Sequence, residues 1–207
     1  MSNDIYGGLS NITTDSYQIE LQPTDGSNIG SLAFTATHIA NGTYSASYIP
    51  KKSGNFSLSI NLKGIHVLGS PFNVIVYPGH IDHTFSEVIA GLGSTDPEIT
   101  VAGETLILTI QAKDLYGNLM SNSNDQDALT VSAVYVNHSS YPSPIGVSDL
   151  DNWEEIWGKN ITGEVVENSD SPGQYMAYIS IFRAGMYGLQ LSVFGENIAG
   201  FPKNLDV

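Results

Sequence analysis

Four acidic side chains lie close together between residues 149 and 155: Asp149, Asp151, Glu154 and Glu155. Clustered carboxylates can bind calcium, which takes several oxygen ligands. The stretch lacks the loop pattern of an EF-hand, and the whole chain carries a net charge of −14. An exposed acidic surface is therefore the favoured interpretation, and we predict no metal site.

The histidine and glycine residues supply no catalytic pattern. His80 and His83 are the only histidines in close spacing, and a surface pair is the ordinary reason for such spacing. The sequence contains no nucleophile elbow, no P-loop and no dinucleotide-binding glycine motif before a helix. It therefore predicts a non-enzyme that uses no cofactor.

Five Asn-x-Ser/Thr sequons offer a different chemistry, the attachment of N-linked glycans. Two interpretations stay open: a glycosylated protein of the secretory pathway, or chance in a chain rich in Asn, Ser and Thr. Three of the sequons are predicted in loops or at strand starts, where a glycan is easily placed, whereas the Asn41 sequon lies in a tight hairpin. The candidate glycosylation sites are Asn11, Asn41, Asn55, Asn137 and Asn160.

Composition disfavours several classes of partner. The chain has 207 residues, 21 Asp and Glu against seven Lys and Arg, and no Cys. Its negative field disfavours nucleic acid and anionic lipid, and no thiol or disulfide chemistry is possible. No apolar run is long enough to cross a membrane, and the first 20 residues show no signal peptide.

The elements that must position these residues are strands, and they recur along the chain. Residues 41–76 align without a gap with residues 172–207, and ten of the 36 positions are identical. In the first copy, residues 44–49, 56–62 and 72–76 each alternate apolar and polar side chains between Gly- and Pro-containing turns. This pattern predicts an antiparallel meander with one wet face, which needs a second sheet to bury the other face. The sequence therefore predicts an all-β sandwich.

The first copy also resembles the C-terminal half of a filamin-type immunoglobulin-like repeat. That family's pattern runs G-x-Y-x-(A/V)-x-Y-x-P, then G-x-(Y/F)-x-(L/V), and ends G-S-P-F-x-V-x-V. The second copy departs from it at Ile181, Phe201 and Lys203. The resemblance implies two tandem immunoglobulin-like β-sandwiches. The matching residues of the first copy are Gly42, Tyr44, Ala46, Tyr48, Pro50, Gly54, Phe56, Leu58, Gly64, Val67, Gly69, Ser70, Pro71, Phe72, Val74 and Val76.

We predict one repeat in residues 1–78 and a second in residues 79–207, with the link in residues 77–83. Asp4–Gly8 has the same form as Asp114–Asn118, the D-x-(Y/F)-G-N motif that ends the second strand in filamin-type repeats. Only three residues precede Asp4, so the first repeat is expected to lack its N-terminal strands. Either the sequence begins inside a longer protein, or a preceding domain or partner donates these strands.

The second repeat is predicted to carry an insertion in residues 137–163. The offset between the copies rises from 110 at Asp4 and Asp114 to 131 at Gly42 and Gly173, which leaves 21 extra residues. The insertion holds Tyr141, Trp153 and Trp157. These aromatic side chains either cover the flank of the sandwich or form a partner-binding loop.

The resemblance also implies a peptide-binding groove in the first repeat. In filamins, partner peptides add as a strand beside the third and fourth strands of a repeat. The matching groove lies between Ser16–Gln22 and Leu32–Thr37. Candidate partner contacts are Tyr17, Ile19, Leu32 and Phe34, together with Tyr141, Trp153 and Trp157 in the second repeat.

We therefore expect a non-catalytic protein-binding and spacer module, part of a larger cell-surface adhesion protein that binds other proteins. The alternative is a rod segment of a cytosolic, filamin-like actin crosslinker of the cytoskeleton. A third hypothesis is a glycan-binding sandwich that stacks sugars on Trp153 and Trp157. Neither nucleic acid nor direct membrane insertion is expected.

Overall fold

The computed structural model describes residues 15–26, 31–93, 98–121, 128–136 and 160–207. The chain divides into two compact units, Met1–Tyr77 (unit 1) and Pro78–Val207 (unit 2). The division falls one residue before the boundary that the sequence predicts. The Asp4–Gly8 motif and most of the predicted insertion lie outside the described residues.

Unit 1 contains a five-stranded antiparallel sheet and a two-stranded hairpin among its described residues. In the sheet, β2 pairs with β1, β1 with β5, and β5 with both β6 and β7, while β3 and β4 form the hairpin. The strands are β1 (Tyr17–Pro23), β2 (Leu32–Thr35), β3 (Thr37–Ala40), β4 (Thr43–Ser45), β5 (Gly54–Leu62), β6 (Ile65–His66) and β7 (Phe72–Val76).

The alternating pattern of unit 1 places its apolar side chains on one face of the sheet. Ile19 of β1 lies opposite Phe34 of β2 and Ile60 of β5. Residues directly opposite each other in a ladder project to the same face, so the apolar positions of the three strands form one surface. Among the described residues of unit 1, the buried hydrophobic ones are Ile19, Leu21 and Phe56.

The hairpin predicted at Asn41-Gly42 is confirmed, because these two residues connect β3 and β4. Their φ angles are 49° and 67°, the left-handed conformation that a tight two-residue turn between antiparallel strands requires. Lys63 and Gly64 turn the chain in the same way between β5 and β6, with φ angles of 53° and 82°.

Unit 2 is a sandwich of two sheets. One sheet has the order β13-β14-β10-β8, and the other has the order β12-β11-β15-β17-β9, with β16 also paired to β15. Every pairing is antiparallel except that of β17 with β9. The strands are β8 (Glu87–Ala90), β9 (Glu98–Ile99), β10 (Thr105–Gln111), β11 (Leu129–Tyr135), β12 (Asn160–Thr162), β13 (Glu164–Glu167), β14 (Gln174–Ser180), β15 (Met186–Val193), β16 (Glu196–Asn197) and β17 (Lys203–Asp206).

The core of unit 2 lies between its two sheets. Alternate residues of β10, β11, β14 and β15 point inward, as the period of two predicts. Tyr175, Leu108 and Leu189 are fully buried. The buried core comprises Ile81, Leu108, Ile110, Ala112, Met120, Ala128, Leu129, Val131, Ala133, Tyr175, Ala177, Ile179, Ile181, Tyr187, Leu189, Leu191, Val193, Ile198 and Leu205.

Most of the residues predicted to link the two repeats are bonded into unit 2. Ile81 is 4% exposed and belongs to the core, and it forms a bridge with Asp114. The Asp82 amide donates a hydrogen bond of 2.8 Å to the carbonyl of Lys113. The segment from residue 79 onward is therefore part of the folded unit.

The predicted insertion ends earlier than the sequence indicates. Residues 160–162 form β12, which pairs with β11, so the strand begins inside the range predicted as insertion. After Gly163 the chain continues as β13, which pairs with β14 in the other sheet. Residues 160–163 are therefore part of the sandwich itself.

Candidate functional site

One end of the five-stranded sheet of unit 1 is an open edge. Strand β2 is the terminal strand, and within the described part of the chain no strand pairs with its outer edge. Such an edge exposes unpaired backbone N–H and C=O groups, which can hydrogen-bond an added strand. The edge of β2 is therefore the backbone surface of unit 1 best suited to strand addition.

The structure does not contain the predicted groove between the third and fourth strands of unit 1. Strands β1 and β2 are direct neighbours, with Gln18 opposite Thr35 and Leu21 opposite Leu32. A peptide strand cannot lie between them unless this pairing breaks. The sequence therefore places the two strands correctly, but their direct pairing leaves no groove between them.

The four residues predicted as partner contacts in unit 1 differ in accessibility. Leu32 is 42% exposed, and Tyr17 and Phe34 are half-buried. Ile19 is only 6% exposed, so its side chain packs in the core of unit 1. Partner binding by these residues remains a prediction, with Leu32 offering the most accessible apolar side chain.

Aromatic contacts hold the β3–β4 hairpin, through Tyr44, and the segment after it, through Tyr48, against this sheet. The ring centroids of Tyr17 and Tyr44 are 4.8 Å apart, and those of Phe34 and Tyr48 are 5.4 Å apart. Tilted aromatic pairs at such distances are favourable beyond the area they bury. They fix the hairpin over the apolar face and leave the outer edge of β2 open within the described residues.

The predicted contacts of the insertion, Tyr141, Trp153 and Trp157, lie outside the described residues, as do its four acidic side chains. Two candidate glycosylation sites, Asn11 and Asn137, lie outside them as well. The other three candidates are placed: Asn41 in the β3–β4 turn, Asn55 in β5 and Asn160 at the start of β12, all exposed. Each is accessible to a modifying enzyme, and their use remains a prediction.

A buried carboxylate is a further polar centre, whose role the sequence analysis did not predict. Asp114 is 2% exposed, and its Oδ2 atom accepts hydrogen bonds from the Gly79 amide at 2.9 Å and from Asn118 Nδ2 at 2.7 Å. Its Oδ1 atom accepts from the amides of Tyr116 and Asn118, both at 2.9 Å. The Asp-x-x-x-Asn spacing in the sequence could have indicated this contact, because a turn of that length brings the side-chain amide of Asn118 back to the carboxylate of Asp114.

The described residues show neither a metal-binding cluster nor a membrane-spanning helix. No group of three or more His, Asp or Glu side chains there could hold a metal ion. No helix within the same residues is long and apolar enough to cross a membrane.

Residues 7–73 match the sequence model of the Filamin/ABP280 repeat. The match covers nearly all of unit 1 and confirms the resemblance read from the motif residues. Unit 1 is therefore similar to a filamin-type repeat, and its fold is all-β and immunoglobulin-like. Repeats of this family are in general non-catalytic. No curated protein matches the chain.

Several solved structures align with this chain at low sequence identity. The filamin domain of Lin-41 is 18% identical over 62% of this chain and 96% of its own, with a TM-score of 0.39. The Escherichia coli adhesin FdeC is 17% identical over 99% of this chain and 56% of its own, with a TM-score of 0.47. Invasin, a bacterial integrin-binding protein, is 12% identical over 99% of this chain and 34% of its own, with a TM-score of 0.37.

Proposed function

We propose that this chain is a non-catalytic protein-binding and spacer module of a larger cell-surface adhesion protein. One observation carries the binding part of the proposal, the outer edge of β2 in a unit that matches the filamin repeat. Repeats of this kind bind peptides by adding a strand to a sheet. The edge of β2 supplies the backbone groups, and the exposed part of Leu32 supplies an apolar contact.

Strand addition at this edge extends the apolar face of unit 1. Leu32 and Phe34 lie opposite Leu21 and Ile19, so their side chains project to the core face of the sheet. A peptide strand beside β2 would cover these two side chains with its own alternate residues. The preferred partner is therefore an extended peptide with apolar residues at every second position.

The surface location is supported by sequence and exposure. All three described sequon asparagines are accessible, and the chain is acidic and holds few Lys. A second candidate, a rod segment of a cytosolic crosslinker, is favoured by the family match itself, because that family includes the cytoskeletal filamins. Glycan occupancy in a secreted chain separates the two candidates.

A peptide selection tests the binding site. Random twelve-residue peptides displayed on phage are selected on the full chain, and the enriched peptides are measured against a Leu32→Lys variant. We expect enriched peptides that alternate apolar residues, and Leu32→Lys should weaken their binding by about tenfold or more, because an inward-pointing charge at an edge opposes strand addition.

Ile65→Lys is the matched control. Ile65 is 74% exposed in β6, away from the β2 edge of the sheet path, so its replacement should leave binding unchanged. Variants are compared only where their urea midpoints agree. A scrambled peptide of the same composition should not bind. Enriched peptides that bind wild type and Leu32→Lys equally would contradict the proposed site.

A further inference from the structure

Unit 2 has an open cleft where its chain passes from one sheet to the other. The cleft has a volume of about 900 Å³ and lies beside Gly163, between β12 and β13. The first residue of β10 and the last residue of β14 form part of its wall, as do two residues that follow β14. These four residues are Thr105, Ser180, Phe182 and Arg183.

The side chains of this cleft combine an aromatic surface with polar groups of both signs. Phe182 is 76% exposed, although the preceding Ile181 is buried in the core. Arg183 is the only arginine of the chain, and Glu164 lines the same cleft. The hydroxyl groups of Thr105 and Ser180 are 2.8 Å apart and hydrogen-bonded.

This combination suits a sugar better than a charged ligand. A sugar ring has an apolar face that can cover an aromatic ring, and each hydroxyl group both donates and accepts hydrogen bonds. An anionic ligand would meet Glu164 and the field of a chain with a net charge of −14. The arginine and the hydroxyl pair offer donors and acceptors to neutral hydroxyl and acetamido groups.

A sugar source lies at the rim of the same cleft. Ile161 and Thr162, the second and third residues of the Asn160 sequon, line it. Asn160 is exposed on β12 and stands two residues before Thr162, about 7 Å along the same face of the strand. The other described sequons, at Asn41 and Asn55, belong to unit 1.

We propose that an N-linked glycan on Asn160 lies in this cleft, with its N-acetylglucosamine core packed on Phe182 and hydrogen-bonded by Arg183. The glycan arrives by transfer from a lipid-linked oligosaccharide in the secretory pathway. The Asn160 amide nitrogen bonds to C1 of the first sugar, the bond from C1 to the lipid diphosphate breaks, and the nitrogen loses one proton. The inference rests on the proposed surface location.

Native deglycosylation tests the inference. The full chain is secreted from mammalian cells, and glycopeptide mass mapping follows each site during timed digestion with an N-glycosidase under native conditions. We expect Asn160 to be occupied, and Phe182→Ala to speed release of its glycan about fivefold, because the variant removes an aromatic contact that shields the sugar–asparagine bond. Phe194→Ala, at an exposed aromatic residue that does not line the cleft, should leave the rate unchanged.

Each outcome separates this inference from the proposed location. An empty Asn160 beside glycans at other sequons, or equal release rates in wild type and Phe182→Ala, would overturn the inference and leave the surface location in place. A secreted, folded chain with no glycan at any sequon would remove support for both.

Discussion

At the residue scale, Asp114 connects the first residues of unit 2 to the turn that follows β10. Burial raises the pKa of its carboxyl group, but hydrogen bonds from the Asn118 side chain and from the amides of Gly79, Asn118 and Tyr116 outweigh that effect and lower the pKa overall. A depressed pKa in the folded state means that the charged carboxylate stabilises the fold. This stabilisation is present above the unfolded pKa of about 3.9 and is lost as pH falls through the lower folded value.

Asp114→Asn should therefore destabilise unit 2 at neutral pH. The amide group replaces one acceptor oxygen with a donor that faces other donors, which should cost about 2–3 kcal/mol in the free energy of unfolding. Urea unfolding of the full chain between pH 7 and pH 3 measures the effect. The variant should also lose less stability on acidification than wild type. Asp170→Asn, at an exposed turn position, is the control, and equal pH dependence in wild type and Asp114→Asn would contradict this role.

At the scale of elements, the passage from β12 to β13 depends on Gly163. A Cβ atom there would lie 2.2 Å from the Tyr178 carbonyl oxygen and 2.6 Å from Val131 Cγ1. Gly163→Ala should therefore destabilise unit 2 by about 1–3 kcal/mol, measured by urea unfolding. Gly188→Ala is the matched control in β15, because its nearest atoms would be at an ordinary 3.7 Å. If both variants unfolded at the same urea concentration, the close packing around Gly163 would not contribute to the stability of unit 2.

Alternation and turn residues predict most strands, because both are local properties of the sequence. Strand β11 and the Asn41-Gly42 hairpin lie where the pattern places them. The extent of a strand depends instead on its partners. Residues 43–49 repeat the positions of β14, yet only Thr43–Ser45 form a strand, β4. Strand β14 pairs with β10 on one edge and β13 on the other, whereas β4 pairs with β3 alone among the described residues.

The candidate site shows the same division between local and long-range information. The residue pattern locates the strands around Ile19 and Phe34, but their direct pairing closes the groove that family resemblance implies. The choice of pairing partner for a strand depends on the tertiary structure, since two sheet edges with similar patterns of apolar residues can accept the same strand. The cleft at Phe182 and Arg183 could not be predicted from the sequence. Two of its residues, Thr105 and Ser180, are far apart in the chain and are brought together only by the register of β10 and β14.

At the scale of the whole molecule, the two units differ in how much apolar surface they bury. Among the described residues, nineteen core residues of unit 2 are buried, against three buried hydrophobic residues of unit 1. Ala46 is exposed in unit 1, whereas its counterpart in the repeat, Ala177, is fully buried. Because burial of apolar area is the main favourable contribution to folding, unit 1 should be the less stable unit.

Native-state hydrogen exchange on the full chain measures this difference strand by strand. Amides of β1 and β5 should exchange at least about tenfold faster than amides of β10, β11 and β15 under conditions where exchange reports the opening equilibrium, because fewer buried contacts must be broken to expose them. Unit 2 serves as the internal control within the same molecule. If a partner strand stabilises unit 1, addition of a peptide selected on the full chain should slow exchange in β1 and β2 and leave β10 unchanged. Equal protection of both units without any partner would show that the small described core of unit 1 is not its main source of stability.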